Sequence, residues 1–242
     1  MVSSLLRVRH ISTLHSGPDD MEVLRPTDCP NVMSDGYHLY TRNLVPGHAI
    51  YGEPLVNAGG EEFRRWNQRR SKMAAYMLLS HRCGDLGRND TVLYLGAATG
   101  TTVSHISDIV DEGRVYAVEV SKRAFRGLLS NCSDRPNVVP ILGNARDANL
   151  LSGILSDADY LYVDVAQRDE VDIFLFNMGH HSCRTGMLML KCRSIDVAAS
   201  PISIAQKTLL TIRKSGYDVE QPIDLGAFAK DHFAILVKRP KA

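Results

Sequence analysis

Residues 92–102 read VLYLGAATGTT, and this stretch decides the fold. A mostly apolar run, typical of a buried strand, leads directly into a turn that contains Gly96 and Gly100. After the turn, apolar residues recur at helical spacing as far as Val110. A strand, a tight glycine turn and a helix in this order predict the opening unit of a doubly wound α/β domain. In such a unit the glycine backbone and the helix N-terminus face a ligand.

The next predicted strand adds a carboxylate. Residues 114–120 read RVYAVEV, and Glu119 comes nineteen positions after Gly100, where an acidic residue binds a ribose diol. The glycine spacing is not the G-x-G-x-x-G of dinucleotide sites, and no Gly-Lys-Ser/Thr follows it. We therefore predict a nucleoside cofactor without a phosphate cradle, and S-adenosylmethionine fits that description. A βαβ unit without a ligand is the alternative.

The bulk composition is that of a globular protein. The 242 residues, 44% of them hydrophobic, suffice for one large domain with a small appendage. A net charge of +1 means that any RNA contact must come from a local basic surface. The five cysteines contain no C-x-x-C pair, which argues against a disulfide framework or a zinc site and favours a reducing compartment. We expect no metal, no secretory signal at the N-terminus and no membrane span.

The order of the predicted elements divides the chain in two. Residues 1–66 lack strand–helix alternation and predict a small, largely antiparallel β domain with strands at 37–45 and 49–56. Residues 67–242 predict a Rossmann-like domain. Its strands are expected at 92–95, 115–119, 138–142, 160–164 and 186–191, and its helices at 68–80 (capped by Asn67), 102–109, 123–130, 171–177 and 201–214. Two late strands, 217–225 and 232–238, are too close for a parallel crossover, so the sheet should end in an antiparallel hairpin.

Polar residues follow four of the predicted strands. These are Glu119, Asn144, Asp164 and Lys191. The carboxyl ends of parallel strands meet at one crevice, so we favour a binding site over a set of solvated strand ends. Lys191 ends the apolar run MLML, which predicts a partly desolvated amine whose neutral form is favoured. Asp164, one strand away, is expected to hold that amine; a purely structural Lys–Asp pair is the alternative.

Residues 63–72 read FRRWNQRRSK and form the clearest basic cluster. The arginines that could contact an RNA backbone are Arg64, Arg65, Arg69 and Arg70. An aromatic residue of this stretch could stack on a base. A solvated helix start with Trp66 in the core explains the same residues equally well. Lys72 differs from the others, because its place near the helix start allows it to point toward the crevice.

Taken together, these motifs resemble the fibrillarin family, the RNA-guided 2′-O-methyltransferases, and more closely its archaeal branch. The matching segments are TRNLVPG at 41–47, YGEPL at 51–55, WN at 66–67, RSK at 70–72, VLYLGAATGTTVSHISDIV at 92–110, YAVE at 116–119, AR at 145–146, DVAQ at 164–167, RSIDV at 193–197 and KDH at 230–232. They run from about residue 37 to the end of the chain.

The resemblance implies a Rossmann-like, S-adenosylmethionine-dependent methyltransferase fold and assigns roles to particular residues. Together with the glycine turn it places cofactor contacts at Gly96, Ala97, Gly100, Thr101, Thr102, Glu119, Val120, Asn144, Ala145, Asp164, Val165, Ala166 and Gln167. It implies a catalytic set near the transferred methyl group, which falls on Lys72, Asp164, Lys191 and His232. One lysine would take the proton of a ribose 2′-hydroxyl or stabilise the oxyanion, and the sequence does not say which.

The resemblance also implies an assembly. Proteins of this family join a Nop-family scaffold, a kink-turn-binding subunit and a box C/D guide RNA that pairs with rRNA or tRNA. The expected compartment is the cytoplasm in an archaeon, which the RSIDV wording favours, and the nucleolus in a eukaryote. Two other classes of function remain open: a nicotinamide oxidoreductase on the same βαβ unit, and an architectural ribonucleoprotein subunit with a degenerate cofactor pocket.

Overall fold

The computed structural model describes residues 24–240, which form a large mixed sheet and a smaller antiparallel sheet. The strands are β1 (Arg25–Pro26), β2 (Val32–Ser34), β3 (Leu39–Arg42), β4 (Leu55–Ala58), β5 (Glu61–Trp66), β6 (Thr91–Leu95), β7 (Arg114–Glu119), β8 (Val138–Leu142), β9 (Tyr160–Val163), β10 (Thr185–Lys191), β11 (Asp218–Val219), β12 (Ile223–Asp224) and β13 (His232–Lys238). The helices are α1 (Lys72–Ser80), α2 (Thr101–Ile109), α3 (Lys122–Cys132), α4 (Glu170–His180), α5 (Cys192–Ile195) and α6 (Pro201–Lys214).

The larger sheet has the strand order β11-β13-β10-β9-β6-β7-β8, and β12 also pairs with β13. The five strands from β10 to β8 are parallel, and β13 runs antiparallel to β10, β11 and β12. This confirms the predicted doubly wound sheet with an antiparallel end. The late segment at 217–225 forms two short strands, β11 and β12, instead of the single strand that we predicted.

Helices cover both faces of the central strand β6. On one face Tyr94 belongs to a hydrophobic cluster that includes Met73 of α1 and Ile106 of α2. On the other face Leu93 belongs to a second cluster, with Phe174 of α4 and residues of α6. A strand that is buried on both faces needs a continuous apolar run, and this is why the VLYL segment was readable from sequence.

The smaller sheet has the order β1-β2-β3-β5-β4 and is antiparallel throughout. Leu39 and Trp66 from this sheet join the same hydrophobic cluster as Ile106 of α2, so the two sheets share part of their core. The division of the chain into domains at residue 66 stays a prediction. The N-terminal segment before residue 24, for which the sequence predicts no secretory signal, lies outside the described residues.

Three local predictions in this region are wrong. Residues 49–54 are not a strand, because the Glu53 carboxylate accepts the N–H groups of Ile50 and Tyr51 and folds that segment into a loop. Residues 61–66 form β5, a strand that the sequence analysis did not predict. The cap of α1 is Ser71 and not Asn67, since the Ser71 hydroxyl accepts the N–H of the third helical residue.

A disulfide joins Cys29 and Cys83, whose Cα atoms lie 4.8 Å apart. The expectation that the cysteines form no disulfide is therefore wrong for this pair. The two residues are 54 positions apart in sequence and meet only because the loop before β2 packs beside the end of α1. Cys132, Cys183 and Cys192 are free and buried.

Residues 24–240 contain neither a membrane-spanning helix nor a cluster of metal-binding side chains. No helix in that part of the chain is both long and apolar enough to cross a bilayer. The same residues contain no group of three His, Cys, Asp or Glu side chains that is placed to hold a metal ion.

Arg64 of β5 is the buried charge that links the two sheets. Its side chain is 0% exposed. Nε lies 3.2 Å from Glu53 Oε1 and 3.6 Å from Asp108 Oδ2, and Nη2 donates to Ser104 Oγ at 2.8 Å. Asp108 and Ser104 belong to α2, and Asp108 Oδ1 also accepts from Arg135 Nη1 at 2.6 Å. The prediction that Arg64 contacts RNA is wrong, because its guanidinium group does not reach solvent.

Trp66 and His105 pack beside this charge network. The Trp66 ring is fully buried and stacks on His105 with 5.0 Å between ring centroids, so Trp66 is a core residue. His105 Nδ1 lies 2.7 Å from Thr41 Oγ1, and Nε2 lies 2.8 Å from the Tyr51 hydroxyl. Burial holds the pKa of His105 well below its usual range, and Arg64 acts in the same direction.

Arg64→Ala is expected to lower the free energy of unfolding by about 3–5 kcal/mol, because it leaves the Glu53 and Asp108 carboxylates buried without this partner. Urea unfolding measures the change. Arg65→Ala is the matched control on the same strand, since Arg65 is only half-buried and forms no ion pair within residues 24–240. We expect it to change stability by about 0.5 kcal/mol or less. Equal losses in the two variants would contradict the linking role of Arg64.

Candidate active site

A cavity of about 280 Å³ opens at the carboxyl ends of the parallel strands. It lies where the strand order reverses, between β6 and β9, which is the position at which doubly wound sheets bind ligands. Its lining residues are Gly96, Ala98, Val118, Glu119, Val120, Gly143, Asn144, Ala145, Asp164, Val165, Ala166, Gln167 and Ile173.

Gly96 is required by a close backbone approach. It has φ +87°, and a Cβ atom built on it would lie 2.3 Å from the carbonyl oxygen of Asp164. Any larger residue would push the loop after β6 away from the loop after β9. The glycine therefore sets the width of the cavity at its floor.

Glu119 ends β7 and presents a fixed carboxylate to the cavity. Oε2 accepts the N–H of Ala98 at 2.8 Å, and Oε1 accepts the N–H of Ser121 at 2.7 Å. Each oxygen of an ionised carboxylate has two acceptor sites, so both can still accept a hydroxyl. The side chain is 8% exposed and is thus held in place by the fold. These are the properties that binding of a ribose diol requires.

Most of the predicted cofactor residues line this cavity. Those that do are Gly96, Glu119, Val120, Asn144, Ala145, Asp164, Val165, Ala166 and Gln167, and those that do not are Ala97, Gly100, Thr101 and Thr102. Thr102 is buried and its hydroxyl donates to Ser71 Oγ, so it contacts the helix cap of α1.

Four lining residues were missed by the sequence analysis: Ala98, Val118, Gly143 and Ile173. Ala98 lies inside the glycine turn, and Val118 and Gly143 adjoin the predicted residues Glu119 and Asn144. These three could have been predicted as sequence neighbours of the predicted cofactor residues. Ile173 comes from α4, and no local signal in the sequence marks it.

Lys72 and Asp164 form an ion pair beside the cavity. Lys72 Nζ lies 2.6 and 2.7 Å from the two carboxylate oxygens of Asp164. Lys72 is the first residue of α1, and Asp164 directly follows β9. The expectation that Asp164 holds Lys191 is wrong, because its carboxylate is already engaged by Lys72.

Lys191 and His232 lie opposite one another on neighbouring strands. They are register partners at the ends of β10 and β13. His232 Nδ1 donates to the Lys230 carbonyl oxygen at 2.7 Å, which leaves Nε2 as an acceptor. Burial lowers the pKa of His232; the positive charges of Lys72 and Lys191 act in the same direction, and Asp164 opposes them. The structure thus brings the four predicted catalytic side chains together.

Glu170, the first residue of α4, was not singled out from the sequence. Its side chain is fully buried, and Oε1 accepts the backbone N–H of Lys191 at 2.8 Å. Burial raises the pKa of Glu170 to about 8, against the opposing influence of the Lys191 N–H. An acidic residue in the first turn of a helix is ordinary, so the sequence carries no signal for this contact.

Three of the four predicted RNA-binding arginines remain accessible. Arg69 lies over the Phe228 ring and Arg70 over the Tyr51 ring, with 5.9 and 5.4 Å to the centroids. Arg65 and Arg70 line a second cavity of about 250 Å³ together with Asn67. These arginines form no ion pair with a carboxylate of residues 24–240, in contrast to Arg64.

Comparison with known proteins identifies the family. A sequence model of the Fibrillarin family matches residues 30–241. A fibrillarin-like rRNA/tRNA 2′-O-methyltransferase of Methanothermobacter thermautotrophicus is 43% identical over 203 residues, which cover 83% of this chain and 91% of that protein.

Two solved structures agree with that match. Aeropyrum pernix fibrillarin, crystallised with natively bound S-adenosyl-L-methionine, aligns with a TM-score of 0.79 at 36% identity, covering 88% of this chain and 97% of that one. A chain of a fibrillarin/Nop5p complex aligns with a TM-score of 0.80 at 36% identity, covering 88% of this chain and 100% of that one. The chain described here belongs to the fibrillarin family.

Proposed function

We propose that this protein transfers a methyl group from S-adenosylmethionine to ribose 2′-hydroxyls of rRNA and tRNA. The observation that carries the proposal is the proximity of two lysines, Lys72 and Lys191, to a cavity with a fixed carboxylate at Glu119. The relative from Methanothermobacter thermautotrophicus, named as an rRNA/tRNA 2′-O-methyltransferase, supports the choice of substrate.

The cavity residues suit S-adenosylmethionine. Glu119 would bind the ribose hydroxyls, and Gly96 lets the ligand approach the backbone. Val120, which is 59% exposed, would supply apolar surface to the adenine, and Asn144 would supply polar atoms at its edge. When bound, this cofactor supplies an electrophilic methyl group on a sulfonium, whose departure needs no assistance from an acid. The natively bound S-adenosyl-L-methionine of the Aeropyrum pernix relative supports this assignment.

The side chains beside the cavity would activate the nucleophile. A ribose 2′-hydroxyl is a weak nucleophile and must lose its proton as the new O–C bond forms. Lys72 is fixed by Asp164 as an ammonium group and would stabilise the developing negative charge on oxygen. Lys191 has no ion-pair partner within residues 24–240, which leaves its amine free to contact the ribose hydroxyl and to accept its proton. His232 and Asp164 would set the orientation and charge around the two lysines.

The chain offers few contacts for RNA. Arg65, Arg69 and Arg70 would bind phosphates near the site, but a small number of phosphate contacts gives weak, salt-sensitive binding without choice of sequence. We propose that selection comes from a box C/D guide RNA that pairs with the target. The guide would be held together with a Nop-family scaffold and a kink-turn-binding subunit. The fibrillarin/Nop5p complex of the related protein supports the scaffold. The compartment would be the cytoplasm in an archaeon and the nucleolus in a eukaryote.

Glu119→Ala is expected to weaken the binding of S-adenosylhomocysteine about tenfold to a hundredfold, because charge-assisted hydrogen bonds contribute about 1.5–3 kcal/mol. Isothermal titration calorimetry measures the affinity. Glu112→Ala removes an exposed carboxylate just before β7 and should bind normally. Unchanged affinity in Glu119→Ala would remove this residue from the site. A wild-type protein that does not bind S-adenosylhomocysteine would favour the architectural alternative.

Lys191→Ala is expected to slow methyl transfer by the assembled particle about 100-fold or more, the usual size of a lost general base. Cofactor affinity should stay near the wild-type value, since the backbone N–H that Glu170 accepts is retained. Transfer of tritiated methyl groups to a guide-matched RNA measures the rate. Lys214→Ala, an exposed lysine at the end of α6, is the matched control. A fully active Lys191→Ala particle would contradict the proposed base.

The isolated protein is expected to bind S-adenosylmethionine but to methylate RNA at a negligible rate until scaffold and guide RNA are added. The reason is the small number of accessible basic side chains near the site. The same tritium assay, run with and without the partners, gives the comparison. Efficient and site-selective methylation by the protein alone would overturn dependence on a guide.

A further inference from the structure

Glu170 lies directly behind the proposed base. It begins α4, and its fully buried carboxyl group reaches the end of β10, where Oε1 accepts the Lys191 N–H at 2.8 Å. The other oxygen, Oε2, is also buried and makes no hydrogen bond to any residue in the range 24–240. One oxygen therefore holds the strand that carries Lys191, while the second is left without a partner.

Charged groups face Glu170 from several elements. Lys72 approaches from α1, Asp164 from the end of β9 and Lys191 from the end of β10. The Cys192 thiol of α5 also interacts with it electrostatically. Neither Lys72 nor Lys191 forms an ion pair with Glu170 within the described part of the chain. Lys72 is paired with Asp164 instead. On its own helix Asp172 is exposed, and the preceding Asp169 pairs with Arg146.

We infer that Glu170 is a positioning residue that carries its proton at neutral pH, and so holds Lys191 without adding negative charge to the site. This inference rests on the proposed function for its effect on catalysis, but the protonation of Glu170 can be tested without it.

The balance of forces on the carboxyl group supports the neutral form. A buried carboxylate loses its hydration, and here it would recover only one hydrogen bond, from the Lys191 N–H. The helix N-terminus favours an anion, but by a smaller amount than burial disfavours it. The raised pKa of Glu170, about 8, is consistent with this balance.

The charge of Glu170 matters for the reaction. With Glu170 neutral, the ammonium groups of Lys72 and Lys191 outweigh the one carboxylate of Asp164, so the site carries a net positive charge. That charge stabilises negative charge on the attacking oxygen. Ionisation of Glu170 would cancel this net charge.

The first test compares Glu170→Gln with the wild type in the assembled particle between pH 6.5 and 9.5. Glutamine keeps an acceptor for the Lys191 N–H but cannot ionise. We expect equal rates at pH 6.5 and a variant that is faster by about tenfold at pH 9, where roughly nine-tenths of a carboxyl group with a pKa of about 8 is ionised. A ratio of rates that does not change with pH would overturn the inference.

Two control variants separate charge from structure. Asp172→Asn removes an exposed carboxylate two positions along the same helix. The ratio of its rate to the wild-type rate should be near one at every pH. Glu170→Ala removes both the charge and the acceptor of the Lys191 N–H, so it should be slower than Glu170→Gln at every pH. Activity that Gln retains and Ala loses assigns the difference to that hydrogen bond, and equal rates in the two variants would contradict it.

The second test needs no RNA. In the full chain labelled with ¹³C at glutamate Cδ, one signal should titrate with a midpoint near pH 8 and be missing from Glu170→Gln. The folded chain then holds a proton that the unfolded chain releases above the ordinary value of 4.5. The stability of the wild type relative to Glu170→Gln should therefore fall as the pH rises from 4.5 to about 8.

The spectrum separates the two ideas. A midpoint near 4.5 for that signal would overturn the inference even if the particle is active. A midpoint near 8 in a protein that methylates no RNA would leave the protonation of Glu170 established. In that case the proposed function would be the idea that fails.

Discussion

The candidate site depends on the approach of Gly96 to the backbone of Asp164. Because only a hydrogen atom fits between them, the loop after β6 and the loop after β9 can lie side by side at the switch point of the sheet. This contact places the Asp164 side chain at the cavity edge, where Lys72 meets it. The glycine turn and the Lys72–Asp164 ion pair are thus parts of one arrangement.

A contact between α1 and α2 contributes to the same arrangement. α1 begins at Lys72, immediately after the Ser71 cap, and Ser71 in turn accepts a hydrogen bond from Thr102 at the start of α2. The helix that carries Lys72 is therefore fixed against the helix that follows the glycine turn. The Thr102 hydroxyl thus contributes to the position of the helix that carries Lys72, and its predicted cofactor contact stays a prediction.

Features encoded by short stretches were predictable from the sequence. The parallel strands are buried on both faces and read as continuous apolar runs, and the rule that ligands lie at strand ends pointed to Glu119 and Asp164 before their positions were known. Long-range pairings were not predictable in this way. Lys72 and Asp164 are 92 residues apart, and nothing near either residue indicates the other. Strand β5 was missed because Arg64 is buried through Glu53 and through partners on α2, which no local pattern reveals.

Because His105 is buried without a proton at the junction between the sheets, unfolding of this junction in mild acid is accompanied by proton uptake. Thr41 donates its hydroxyl hydrogen to Asp108, so its oxygen can accept from His105 Nδ1. Nε2 lies 2.8 Å from the Tyr51 hydroxyl, which itself donates to the Arg65 carbonyl oxygen. A proton added to this imidazole would place a third positive charge beside Arg64 and Arg135. The unfolded chain binds that proton near pH 6.5, whereas the folded chain does not. The free energy of unfolding therefore decreases as the pH falls below about 6.5. Acid tolerance of the whole protein is thus set in part by one histidine of the sheet junction, outside the group formed by Lys72, Asp164, Lys191 and His232.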